Sequence, residues 1–204
     1  MRSLSGSPSA QYLVALAAIE VVNAQDPAIV VVRGESVPLA LAHGRLAILW
    51  VEHLDQAASE ALRLAAAAHH LRRWVVRRTS YPEGRKGYLQ WRKDQKVRHA
   101  IDVGVILESS GFDAAFVERV QVLVRREQLA TDAETKMLED AACLVFIETQ
   151  LEAIAERLDR DHLLEVIRKT ARKMTSAGLA ATVLLPVGEI ERELLAAALC
   201  PSSD

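Results

Sequence analysis

The sequence predicts an all-α protein, a single compact helical bundle. Three observations carry this. Half of the 204 residues are apolar, enough for one sizeable core, and no low-complexity linker divides them. Ala, Leu, Glu and Arg dominate, while the nine glycines and six prolines fall mostly at breaks between helical patterns. The apolar positions recur at three- and four-residue intervals through most of the chain.

The elements follow in order. Residues 1–10 have a Ser, Gly and Pro composition expected to be disordered, leaving one helical domain over residues 11–200. The spacing of Leu13, Leu16, Ile19 and Val22 predicts a first helix, closed by Asp26 and Pro27. Residues 28–33 form one isolated β-branched run without an evident partner, and are read as a loop. Ser36 with Val37 and Pro38 begins a second helix, where Leu39, Leu46, Leu49 and Trp50 mark an apolar face shared by His43 and His53. A third helix is expected over residues 57–76, with His69 and His70 flanking its stripe. A fourth runs over residues 87–109 and carries His99 one turn before Asp102 and Val103. Phe112, Phe116, Val120 and Leu123 predict a fifth helix ending near Leu129.

Asp132 opens a sixth helix in which Asp140 begins the stripe Leu144, Ile147, Leu151, Ile154 and Leu158. An ionised Asp buried without a partner costs several kcal/mol, so Asp140 is expected to meet a cation, a metal or several donors. Residues 162–176 predict a basic helix bearing Arg168, Lys169, Arg172 and Lys173, with Gly178 as its stop signal. A short helix over residues 189–199 completes the chain.

Charge singles out residues 69–99. Ten Lys or Arg face two acids there, although the whole chain has a formal charge of −2. The segment also holds Trp74, Trp91, Tyr81 and Tyr88. Such local charge suits a cleft for a small anion, with Arg72, Arg73, Arg85, Lys86 and Arg92 as cationic contacts and Trp74, Tyr88 or Trp91 as stacking faces. The loop around Pro82, Gly84 and Gly87 running into a helix offers backbone N–H groups as well. The alternative is a solvated surface whose arginine stems cover apolar neighbours. A sequence pI near 6.3 argues against extended nucleic acid as partner. Cys143 and Cys200 form no disulfide framework, and no apolar run approaches the roughly 20 residues that span a bilayer, so a cytoplasmic protein off the membrane is expected.

His43 or His53, His70 and His99 lie on separate helices from the acidic pair Glu139 and Asp140. Their convergence would make an imidazole and carboxylate site for a divalent metal such as Mn, Fe, Zn or Ni. No zinc-finger, HExxH or P-loop spacing is present.

The segments His70-Leu-Arg-Arg-Trp74, Tyr81-Pro82 with Gly84-Arg85, Gly87-Tyr88 with Trp91-Arg92, His99, Leu138 to Phe146, and Lys169-Thr170 with Lys173-Met174 resemble the family known as domain of unknown function 4202. The resemblance runs from about Ala18 to about Gly178 and implies no activity. More distantly, the order of histidine, histidine doublet, histidine and aspartate is similar to that of HD-domain metal-dependent phosphohydrolases, a superfamily that also contains di-iron oxygenases. That resemblance implies an HD-like helical fold, His70, His99 and Asp140 as metal ligands, and Glu139 with Asp140 as catalytic carboxylates. His69 stands where the doublet is expected to begin, and His70 where it carries Asp. The implied activity is hydrolysis of a phosphorylated small molecule or nucleotide, with an iron-dependent oxygenase or a metal-free nucleotide- or RNA-binding module as alternatives.

Overall fold

The structure, a computed structural model, describes residues 7–199. Its elements are α1 (Ala10–Asn23), a β1 (Ile29–Val32) and β2 (Glu35–Pro38) hairpin, α2 (Leu39–Leu54), α3 (Glu60–Ala68), α4 (Gly84–Ser109), α5 (Ala114–Arg125), α6 (Ala133–Ala155), α7 (Arg160–Ala171), α8 (Ser176–Ala181) and α9 (Glu189–Leu199). The all-α class therefore holds. No described helix is long and apolar enough to cross a membrane. The expected disorder of residues 1–6 and the cysteine at position 200 lie outside the described residues, whereas Ser9 is held, capping Tyr12 N–H and hydrogen-bonding Glu60 at 2.6 and 2.8 Å.

α3 is the axis of the bundle. Ala61, Leu62 and Leu64 to Ala68 are all buried, and the helix touches α1, α2, α4, α5 and α6. A helix apolar on nearly every side has to lie centrally, and its alanines let neighbouring backbones approach closely. Gly44 of α2 uses that freedom: a Cβ there would lie 2.7 Å from the Ala67 carbonyl oxygen, which already accepts a hydrogen bond from Asn23 Nδ2.

Several boundaries differ from expectation. Residues 28–33 are not a loop: β1 pairs antiparallel with β2, Val31 opposite Ser36. The turn residues Arg33 and Gly34 both have positive φ, 52° and 85°, which suits a tight hairpin. Glu35 and Ser36 made the partner strand hard to recognise, and Arg33 at the turn forms an ion pair with Glu148 of α6. α2 begins only at Leu39, where buried Asp26 accepts from the N–H groups of Ala28 and Ala40. The helix expected to reach residue 76 stops at Ala68, because Arg72 takes a left-handed conformation and the chain turns away. Gly84 rather than Gly87 opens α4, with Gly87 packed against the Pro82 carbonyl. α5 is shorter than expected, capped by Asp113 and closed by left-handed Arg126. Gly178 lies inside α8 rather than stopping α7, since the Asp140 side chain leaves no space for a Cβ there.

Gly44→Ala is expected to lower stability by about 1 to 3 kcal/mol, because the Ala67 oxygen is backbone and cannot move aside alone. Thermal denaturation beside the wild type measures it.

Candidate functional site

Beyond Ala68 the chain forms irregular turns, and its carbonyl groups are satisfied by side chains of α4. Trp91 Nε1 donates to Val76 O at 3.0 Å, Gln95 Nε2 to Arg73 O and Val76 O at 2.9 Å, and His99 Nδ1 to Leu71 O at 2.5 Å. These three residues recur every fourth position and so share one helix face. The anchored turn presents His69, His70 and Arg73 to a cavity of about 960 Å³. His43 of α2 and His99 of α4 complete an imidazole cluster in its wall.

Ring orientations follow from fixed acceptors. His69 Nδ1 donates to the Ala66 carbonyl at 2.7 Å, and His99 Nδ1 to Leu71, so each keeps a bare Nε2. Thr149 donates its hydroxyl proton to Val145 O at 2.7 Å and therefore accepts from His43 Nε2 at 3.0 Å. His43 Nδ1 is then bare, and lies 2.8 Å from His70 Nδ1. The ligand atoms of His43, His69 and His70 lie within 4.8 Å of one another. His99 Nε2 is buried without a hydrogen-bond partner, and its ring centroid is 6.3 Å from that of His70. One anchored N–H and one bare nitrogen, as in His43, His69 and His99, is the arrangement that suits metal-binding histidines; His70 has no fixed acceptor and faces His43 instead, and the three clustered rings could hold a divalent cation.

Burial also keeps the rings neutral. It pushes His43 down to about 4 and His99 to about 3, with Arg73 adding repulsion in both cases. His69 and His70 are lowered by burial as well, assisted by Arg126 at His69 and by the neighbouring His69 ring and Arg73 at His70.

The rest of the lining is partly apolar, with Leu39, Val145, Phe146 and Val166, and its charged groups are mostly cations. Arg73, Arg85, Arg92 and Lys96 line it from the turn and α4, Arg126 from the end of α5, Lys169 from α7 and Lys173 from the turn that follows, against only Asp26 and Glu139 among acids. Burial opposes ionisation of Glu139, but Arg126 at 2.5 Å, with Lys96 and Lys173, outweighs it and holds the carboxyl below its ordinary range. Burial likewise lowers Lys96 to about 8, with Arg126 opposing its charge further.

The residues expected at the site divide accordingly. His70, His99, Arg73, Arg85, Tyr88, Arg92 and Glu139 line the cavity. Asp140 does not converge with the histidines: its two oxygens accept from Thr175 N–H at 2.8 Å and Thr175 Oγ at 2.5 Å, tying α6 to the start of α8. The buried carboxylate thus found donors within its own chain. His53 is exposed and edge-on to Trp50, so His43 is the first histidine of the cluster. Arg72 turns outward to Asp102 at 3.7 Å, Lys86 is exposed, and neither it nor Trp74 lines the cavity. Trp91 is buried behind the wall, with Arg73 4.4 Å over its ring. His69, Lys96 and Arg126 join the site unexpectedly. The His69–His70 doublet was a signal for the first, and the basic stripe of residues 168–173 for Lys169 and Lys173, but nothing in the local pattern at Arg126 indicated its destination.

Fold and site define a helical-bundle protein with a histidine cluster set in the wall of a cation-lined cavity. The family described as Domain of unknown function (DUF4202) matches residues 14–195, and the chain belongs to it. No curated protein and no solved structure matches the chain.

Two outcomes follow from this geometry. Asp140→Ala should destabilise the fold by about 1 to 3 kcal/mol, through loss of the Thr175 contacts, and should leave any divalent-metal affinity unchanged. Calorimetry with metal titration separates the two effects. The metal-free protein should also lose stability as pH falls. Above the ordinary value of 6.5 the rings are neutral whether folded or not, whereas between 6.5 and about 4 to 3 the unfolded chain takes up protons that folded His43 and His99 refuse. Melting temperature against pH, with His43→Ala showing a shallower fall, is the check.

Proposed function

We propose that the protein is a metal-dependent hydrolase of a phosphorylated small molecule, with the divalent ion held by His43, His69 and His70 and supported by His99. The observation that carries this reading is the meeting of bare, neutral imidazole nitrogens with a wall of cations in one cavity. A bound divalent metal would supply Lewis-acid polarisation of a phosphoryl oxygen and a more acidic water. An all-imidazole set suits Zn, Fe or Ni among the metals expected.

Arg73, Arg85 and Arg92 are placed to take non-bridging phosphoryl oxygens and offset charge that develops as the P–O bond breaks. Glu139, ionised and oriented by Arg126, accepts a hydrogen bond from an incoming water; its lowered pKa makes it an orienting acceptor more than a strong base. The cavity volume lies within the range of small-molecule sites. The iron-oxygenase alternative is supported less, because the described cluster contains no carboxylate to complete a two-histidine, one-carboxylate set.

One observation favours a metal-free binding module instead: His43 and His70 stand at hydrogen-bond distance, 2.8 Å, as an ordinary imidazole pair would. Metal analysis of protein purified without added metal decides between the readings. The hydrolase reading expects a divalent ion stoichiometric with the chain, lost in His43→Ala and His69→Ala, and metal-dependent release of phosphate from members of a panel of nucleotides and sugar phosphates. Protein that neither retains nor takes up Zn, Fe, Mn or Ni would leave the binding module.

A further inference from the structure

Most cationic side chains near a carboxylate in this protein are paired with it, as Arg119 is with Asp132 and Glu134, and Arg126 with Glu139. The cavity departs from that pattern. Among the described residues, Arg73, Arg85, Arg92, Lys96 and Lys173 line it without a carboxylate partner in an ion pair. Gathering five such cations in one recess costs self-repulsion, and a multiply charged anion relieves it.

Their spacing says more than their number. Arg85, Arg92 and Lys96 are seven and four residues apart, which places them on one face of α4 within a narrow sector. From Arg85 to Lys96 the helix rises about 16 Å, too far for a single phosphoryl group to touch both ends at charge-assisted hydrogen-bond distances of about 2.8 Å. Arg92 stands one helical turn from Lys96, and its charge opposes that of both Arg73 and Lys96; Arg126 and Lys173, in the turn after α7, oppose the charge on Lys96 too, while Glu139 favours it. The cations are therefore spread along the cavity, Arg85 at one end and Arg73, Arg92, Lys96 and Lys173 towards the other.

We propose that the ligand of this cavity is a small molecule bearing at least two phosphoryl groups, one held by Arg85 and another by Arg73, Arg92, Lys96 and Lys173. This deepens the proposed function, resting on its choice of the cavity as substrate site, but it needs neither metal nor turnover. The histidine cluster lies in the wall between α2, α3 and α4, so a compound spanning both ends passes along it.

The test is isothermal titration of chelator-treated full-length protein with orthophosphate, pyrophosphate and tripolyphosphate at low and high salt. Affinity should rise along the series, with tripolyphosphate at least about a hundredfold tighter than orthophosphate at low salt and the advantage shrinking as salt screens the contacts. The variant Arg85→Gln and the double variant Lys96→Gln/Lys173→Gln should each reduce tripolyphosphate affinity at least about tenfold and orthophosphate affinity much less. Equal affinity for the three anions, or loss confined to one of these variants, would overturn the proposal. Should a variant fail to fold, the wild-type comparison alone decides: a salt dependence no steeper for tripolyphosphate than for orthophosphate rejects it. Because metal is absent, these results stand apart from the fate of the histidine reading.

Discussion

The hydrogen bonds that Trp91, Gln95 and His99 donate to the carbonyls of Leu71, Arg73 and Val76 are the constraint on which the site depends. Where α3 ends at Ala68, the chain has to pass through partly buried irregular turns, and carbonyl groups there lose water without gaining a helical partner. Three donors at four-residue spacing on a rigid helix satisfy them and set the position of the turn. His69, His70 and Arg73 reach the cavity because the helix does not continue. An unbroken helix to residue 76 would distribute these side chains around its circumference.

Burying His43, His69 and His99, with His70 half-buried among them, beside arginines and lysines is tolerated only if the rings stay neutral. The protein secures this through fixed acceptors: carbonyls for His69 and His99, and a threonine whose own proton is already committed for His43. Each anchor leaves one ring nitrogen bare, and that of His99 has no partner. The neighbouring cations, which disfavour imidazolium, favour anions. The same charge distribution thus keeps the rings neutral, as the proposed metal would require, and leaves positive charge where the proposed phosphoryl ligand would lie.

Asp140 and Glu139 illustrate how adjacent carboxylates on one helix come to differ. One step along α6 rotates the side chain by roughly 100°. Glu139 meets Arg126 on the cavity side, and Asp140 meets Thr175 and the closely packed Gly178. The need for a partner was readable from a charge at the head of an apolar stripe. Which partner answered it depended on where α8 packs, and no spacing within α6 contains that.

The sequence by itself determined the helical class, most helix positions, the cationic character of residues 69–99, and His70, His99, Arg73, Arg85, Arg92 and Glu139 as candidates that prove to share one cavity. Those features are local: periodicity, capping residues and charge density act over a few turns of chain. Only the tertiary structure decided that α3 stops at Ala68, that residues 29–32 find a partner strand, that His43 and His69 join the cluster while His53 and Asp140 do not, and that Arg126 and Lys173 face the same cavity as α4. These outcomes depend on groups distant in sequence competing for the same hydrogen bonds and the same buried space. The competition is settled by packing, and a single helix carries no record of its neighbours.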